Sequence, residues 1–269
     1  MFEIGRVYNR VMEIHEPYGG QRYGGISTPR GWPFVFLFTG ESGEQYGYED
    51  GWDDNGVFLY TGEGQEGDMD FVRGNRAIRD HALDGKDLHL FQALGEGEGY
   101  RYLGRFVCST WEFREGVDVN GDERRVIVFH LIQPEDDEEA SEPTSPDANL
   151  ESLDRLRERA RKAATEVRER NPREARRRYH ERSAAVREYV LARAGGSCES
   201  CRRPAPFRRQ DGTAYLEPHH TRRLSDGGPD HPRWVGAGCP NCHQEVHHGA
   251  EGDEKNRGLQ RHLGVLEEA

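Results

Sequence analysis

Four of the five cysteines fall in two Cys-x-x-Cys pairs, Cys198 with Cys201 and Cys239 with Cys242, about forty residues apart and close to the C-terminus. Each pair presents two thiolates to a tetrahedral ion, and two such knuckles close a four-sulfur site. With every position filled by protein, the ion expected there, zinc, staples the segment together and leaves no room for a substrate. Residues 195–269 are therefore expected to fold around that ion. Cys108 stands apart in a strand-like run, RFVCSTWEF, and reads as a buried core thiol.

Between the knuckles lies Leu216-Glu217-Pro218-His219-His220, and directly after the second comes His243-Gln244-Glu245-Val246-His247. If a helix follows Cys242, His243 and His247 are four residues apart and share a face, as two ligands of one cation must. His219 can supply a third ligand from the preceding hairpin. On a strand, adjacent side chains point to opposite faces, so one of His219 and His220 can hold a cation while its neighbour serves as a base. A second metal site follows, with the parts that phosphodiester hydrolysis requires: an activated water and a charge that stabilises the transition state.

The rest of the chain divides by composition. Residues 1–133 are rich in glycine and aromatics, with short apolar runs such as WPFVFLFTG, GVFLYTG and RRVIVFHLI between turn signals, which predicts a mostly β domain. Residues 134–149, PEDDEEASEPTSPDAN, hold acid, Pro, Ser and Thr and almost nothing to bury, so they read as a flexible linker. Residues 150–194 are dominated by Ala, Arg, Glu and Leu, with two helices expected to break near Asn171-Pro172. This stretch is either a solvated connector laced with Glu/Arg pairs or a basic arm, for dimerisation or for a DNA backbone, centred on Arg173, Arg176, Arg177 and Arg178.

A net charge of −12 is awkward for a nucleic-acid partner, but its distribution matters more than its sum: the positive charge concentrates in residues 150–194. Arginines such as Arg22, Arg30, Arg73 and Arg76 would have to cluster on one face of the N-terminal domain. No apolar run approaches the roughly 18 to 20 residues that span a bilayer. The N-terminus lacks a basic stretch followed by an apolar one, so reduced thiols and a cytoplasmic location are expected.

The pattern Cys-x2-Cys, Leu-Glu-x-His-His, then Cys-Pro-Asn-Cys-His-x3-His-His-Gly resembles the HNH, or ββα-metal, nuclease superfamily over about fifty residues. By that resemblance His220 is the general base, His219, His243 and His247 hold a catalytic Mg²⁺ or Mn²⁺, and Glu217 braces the hairpin. One position departs: the family's middle asparagine, fourteen residues after the base and nine before the helical histidine, is Trp234 here. Three readings are open: Trp234 substitutes structurally, Asn241 takes over, or activity is reduced.

In the N-terminal domain, Gly47-Tyr48-Glu49-Asp50-Gly51-Trp52-Asp53-Asp54-Asn55-Gly56 leading to Tyr60-Thr61, with Asn75-Arg76-Ala77 and Gly85-Lys86-Asp87-Leu88-His89, resembles the SRA (SET and RING associated) domain. The resemblance implies a reader of 5-methylcytosine that flips the base out of the duplex between tyrosine faces. Carried over to this chain, the pocket is Tyr48, Asp50 or Asp53, Tyr60 and Thr61. A carboxylate there can accept a hydrogen bond from the exocyclic amine of cytosine. The competing reading makes Asp50 through Gly56 a plain hairpin turn, for which Asn55-Gly56 is a strong signal.

Together these resemblances imply an α+β protein: an SRA-like twisted barrel, a helical connector and a C-terminal ββα-metal domain with a four-cysteine zinc site. Its implied activity is modification-dependent cleavage of double-stranded DNA as part of a restriction system, with 5-methylcytosine or its hydroxymethyl form as the signal. A module this small contacts mainly phosphates and needs a separate device for selectivity. Cutting both strands takes two active sites, so a homodimer is expected, with residues 150–194 as the contact. A non-catalytic reader, or a general nuclease with a protein-interaction domain, are the alternatives.

Overall fold

The computed structural model describes residues 2–40, 50–134, 151–165, 172–222 and 230–268. Tyr48, Asn171, residues 135–149 and the side chains of Arg173 and Arg176 lie outside the described residues. The described chain forms two compact units, one of residues 2–134 with 172–179, the other of residues 151–165 with 180–268.

The first unit runs β1 (Val7–Tyr8), a wide helical turn (Arg10–His15), α1 (Glu16–Tyr18), β2 (Ile26–Ser27), β3 (Phe34–Thr39), β4 (Gly51–Trp52), β5 (Phe58–Thr61), α2 (Arg73–Arg79), β6 (Asp87–Ala93), β7 (Tyr100–Val117) and β8 (Glu123–Ile132). The strands pair in the order β2-β3-β6-β7-β8-β5-β4, with β1 also against β7. The β3–β6 pair is parallel and β6–β7, β7–β8 and β5–β8 are antiparallel. The expected barrel is thus one eight-stranded mixed sheet, whose end strands β2 and β4 each pair on one side only among the described residues.

Strand β3 shows why its sequence reads as an unbroken apolar run. Phe36 and Phe38, with Phe34 packed beside them, join Tyr8, Ile14, Phe91 and Tyr102 on one side, while Val35 and Leu37 join Tyr60, Leu88, Leu90 and Phe106 on the other. Both faces are covered, so strict polar alternation has no place there. Each fully buried aromatic or aliphatic side chain contributes about 1.5–3 kcal/mol.

The second unit contains α3 (Leu153–Thr165), the part of α4 (Pro172–Ala194) from His180 onward, β9 (Glu217–His220), β10 (Val235–Gly238), α5 (Pro240–His248) and α6 (Gly252–Glu268). Leu156, Ala160 and Ala164 recur every fourth residue along α3 and meet Val186, Tyr189 and Val190 of α4 and Val235 of β10. These helices share a core with the hairpin instead of standing free of it. On α6, Leu259, Leu263 and Glu267 form the buried stripe. Gly236 lets that helix come close, since a Cβ there would sit 3.1 Å from Leu259. Among the described residues no helix is long and apolar enough to cross a membrane.

Arg193 joins these parts. Its Nε and Nη2 hold Glu199 at 2.8 and 2.9 Å, Nη1 reaches Pro232 O at 3.0 Å and Glu267 Oε1 at 2.9 Å, and Nη2 also reaches Val235 O at 2.9 Å. Glu267 in turn accepts from Tyr189 Oη at 2.8 Å.

In the first unit, His89 is buried among Phe2, Phe34, Phe36 and Tyr102, with Nδ1 2.8 Å from Tyr102 Oη. Burial, helped by Arg105, lowers its pKa to about 3. Below the ordinary value near 6.5 the unfolded chain takes up a proton that the folded chain refuses, so stability falls as pH drops from about 6.5 toward 3. At pH 5 the loss from this one group is about 2 kcal/mol. Melting curves at pH 7.5 and 5 should show His89→Phe losing less stability than wild type over that interval; equal slopes would contradict the assignment.

Candidate functional site

The four cysteines converge as their spacing requires. Cys198, Cys201, Cys239 and Cys242 bring their sulfurs within 4.8 Å of one another, three of them buried, so they could hold a metal ion. Cys198 Sγ accepts backbone N–H bonds from Cys239 at 3.2 Å and Cys201 at 3.5 Å. Burial opposes ionisation of Cys198, yet these N–H groups draw its pKa down to about 7. Burial and the crowd of neighbouring sulfurs push Cys242 up to about 12. Four thiols this close oppose one another's ionisation, and a cation among them would relieve that repulsion.

The histidines form a separate cluster. Strands β9 and β10 pair antiparallel with His219 opposite Gly236 and His220 opposite Val235. Cys239 caps α5, Pro240 occupies its first turn, and His243 and His247 follow one turn apart. The rings of His219, His243 and His247 lie 4.8 to 5.2 Å apart, centroid to centroid. Their candidate ligand atoms fall within 4.8 Å of one another. Burial, with His243 and His247 nearby, lowers the His219 pKa to about 3, so its ring is neutral and keeps the lone pair a cation needs. Glu217 Oε2 accepts from His243 Nδ1 at 2.7 Å, and Glu217 Oε1 accepts from Tyr215 Oη at 3.1 Å. Glu217 therefore orients a cluster member directly, beyond bracing the hairpin.

His220 points away from that cluster, as strand alternation requires. Its Nε2 lies 2.9 Å from Asp230 Oδ1, and Asp230 Oδ2 accepts from Ser183 Oγ at 2.8 Å. Burial would raise the Asp230 carboxyl, but the His220 bond, with Arg182 and Ser183, holds it below the usual range. Nothing local in the sequence marks Asp230; it meets His220 only through the fold.

In the first unit, the sequence left Asp50 and Asp53 as alternatives, and the two lie in different settings. Asp50 Oδ1 accepts from Thr61 N at 2.7 Å and Oδ2 from Thr39 Oγ1 at 2.6 Å. Burial pushes its carboxyl up against the pull of those bonds. Asp53 instead accepts from the backbone of Asn55 and Val57, both at 2.8 Å, and closes the β4–β5 turn. The hairpin reading holds for Asp53 through Gly56, and Asp50 is the carboxylate beside Thr61.

Tyr60 is 2% exposed, and its hydroxyl donates to Gly25 O at 2.7 Å. A Cβ at Gly25 would lie 2.8 Å from that hydroxyl, so the contact requires glycine. A base can stack on Tyr60 only after whatever covers the ring moves aside. Asn75, which is 1% exposed, holds the segment after β5: its Oδ1 accepts from Glu63 N at 2.7 Å, and its Nδ2 donates to Glu63 O at 2.8 Å and Asp70 O at 2.9 Å.

Comparison with known proteins places these features in context. The family model described as "ScoMcrA-like, SRA domain" matches residues 4–155. The type IV methyl-directed restriction enzyme EcoKMcrA of Escherichia coli (strain K12) is 42% identical over 73 residues, 27% of this chain and about a quarter (26%) of that protein's length. Among solved structures, the type IV phosphorothioation-dependent restriction endonuclease ScoMcrA is 23% identical with a TM-score of 0.43, covering 100% of this chain and 61% of its own. The modification-dependent TagI restriction endonuclease is 22% identical with a TM-score of 0.38, covering 92% and 78%.

Replacing Asn75 by Ala takes the side-chain partners from the part-buried Glu63 N and Glu63 O, while Asp70 O keeps Val72 N, and each group left unpaired costs about 1–3 kcal/mol. Urea denaturation of Asn75→Ala should show a loss of at least about 2 kcal/mol; a change within about 0.5 kcal/mol would contradict this role.

Proposed function

Because the chain belongs to the ScoMcrA-like SRA domain family, we propose that it is a modification-dependent DNA endonuclease. The N-terminal unit reads 5-methylcytosine, or its hydroxymethyl form, in duplex DNA, and the C-terminal unit hydrolyses phosphodiester bonds as an HNH nuclease. The observation that carries the catalytic half is the division of labour on β9: His219 joins His243 and His247 in one cluster, while the adjacent His220 turns to Asp230.

In this reading the four thiols take Zn²⁺, which suits an all-sulfur tetrahedral set, and the three imidazoles take the catalytic cation, for which the HNH resemblance implies Mg²⁺ or Mn²⁺. Bound there, a divalent cation supplies positive charge to the transition state and the departing oxygen. His220, anchored through Nε2 by Asp230, uses its other ring nitrogen to accept the proton of the attacking water, and the Asp230 carboxylate stabilises the imidazolium that forms.

For the reader, a flipped cytosine offers its exocyclic amine to Asp50, whose oxygens each keep a lone pair beyond the Thr39 and Thr61 bonds. Tyr48 and Tyr60 are the ring faces that would enclose it, and Thr61 borders the same carboxylate. Cutting both strands calls for a homodimer, with the helices of residues 150–194 as its contact.

His220→Ala should lower cleavage by at least about 10²-fold while leaving binding to a methylated duplex within a few-fold; cleavage at the wild-type rate would overturn the assignment of the base. Asp50→Ala should erase the binding preference for methylated over unmodified duplex and Asp53→Ala should keep it; the reverse pattern would overturn the pocket. Elemental analysis should find one zinc per chain, lost in Cys239→Ser together with thermal stability, and a zinc-free wild type would refute the staple.

A further inference from the structure

Trp234 stands where a positioning residue for the His219-His220 segment would be sought, and its side chain does not hold that segment. The contact made is through its backbone: Trp234 O accepts from Thr221 N at 2.8 Å and Thr221 Oγ1 at 3.0 Å. Its ring lies under the guanidinium groups of Arg222 and Arg233, at 4.4 and 5.2 Å. Asn241 is exposed in the first turn of α5.

The side chains that do hold the segment come from α6. Asn256 Nδ2 donates to Thr221 O at 2.6 Å, and Gln260 Nε2, one turn later, donates to the same oxygen at 2.9 Å. The other end of the Asn256 amide faces the metal cluster, with Oδ1 3.3 Å from His219 Nε2. One rigid amide thus spans the end of β9 and a proposed ligand ring. When His219 Nε2 carries the proton toward Asn256, the remaining ring nitrogen holds the lone pair a cation needs. Glu217 does the equivalent for His243 through its Nδ1. The two histidines are therefore oriented by different elements, His243 of α5 by the Glu217 carboxylate of β9 and His219 of β9 by the Asn256 amide of α6.

We propose that Asn256, assisted by Gln260, is a positioning residue for the histidine metal site: it fixes the backbone after His220 and selects the ring nitrogen that His219 presents. This inference rests on the reading of His219, His243 and His247 as a divalent-cation site. Partners that orient a ligating histidine in this way typically change metal affinity or activity by about 10–100-fold when removed.

The test is direct binding of Mn²⁺ to the zinc-loaded full chain, by calorimetry and by the electron paramagnetic resonance signal of free Mn²⁺, beside the metal dependence of cleavage. Asn256→Leu is expected to weaken Mn²⁺ binding by at least about 10-fold, to raise the Mn²⁺ concentration for half-maximal cleavage by a similar factor, and to leave the KM for DNA unchanged. Asn256→Asp has the same shape and keeps an acceptor for His219 but sets a carboxylate oxygen, which cannot donate, against Thr221 O, so its Mn²⁺ affinity should not fall as that of Asn256→Leu does. Wild-type affinity in Asn256→Leu, or equal losses in both variants, would overturn the proposal while leaving the metal site standing. If wild type itself binds no Mn²⁺, the metal-site reading falls and this inference with it.

Discussion

Arg193 places its five N–H donors on acceptors from three parts of the C-terminal unit, and the arrangement of the histidines depends on that convergence. Glu199 lies inside the first cysteine knuckle, Pro232 and Val235 lead into β10, and Glu267 belongs to the last turn of α6. The guanidinium is almost fully buried, so each unpaired donor would carry the cost of a desolvated charge, several kcal/mol for the group as a whole. Glu199 extends the tie by accepting from Ala237 N at 2.8 Å in β10. One side chain thereby sets the cysteine loop, the strand that pairs with the histidine strand, and the helix that carries Asn256.

Around that anchor, chemistry is separated by geometry. The cysteines and histidines occupy two separate clusters with different donor atoms, sulfur in one and imidazole nitrogen in the other. Strand alternation then separates His219 from His220, although they are neighbours in sequence, because consecutive side chains on β9 leave the strand on opposite sides. The same economy appears in the N-terminal unit. Asp50 and Asp53 are three residues apart, yet one is drawn to Thr39 and Thr61 and the other is spent on closing a turn.

What could be read in the sequence and what could not follows the range of the interactions. Cys198-x-x-Cys201, Cys239-x-x-Cys242 and His243-x3-His247 are legible because their spacing is local and their chemistry narrow, and the structure brings each set together. The aromatic run of β3 and the Asp53 to Gly56 turn are legible for the same reason. Which of Asp50 and Asp53 lies beside Thr61 is not legible, since both carboxylates sit in the same glycine-rich stretch and only the fold separates them. Asp230, Asn256 and Arg193 left no local trace: each acts on a residue 10 to 74 positions away. A helix such as α6, polar on most of its surface, gives no sign in its sequence that Asn256 reaches Thr221 and His219.

Dependence of cutting on modification is what separates a modification-dependent nuclease from a general one. Matched duplexes carrying unmodified, methylated or hydroxymethylated cytosine, incubated with the full chain in Mg²⁺ and in Mn²⁺ and followed by mapping of the ends, test it most directly. The expected result is metal-dependent cleavage confined to modified duplexes, with breaks at a defined distance from the modified base. Equal cleavage of the unmodified duplex, or none of any duplex with either metal, would contradict it.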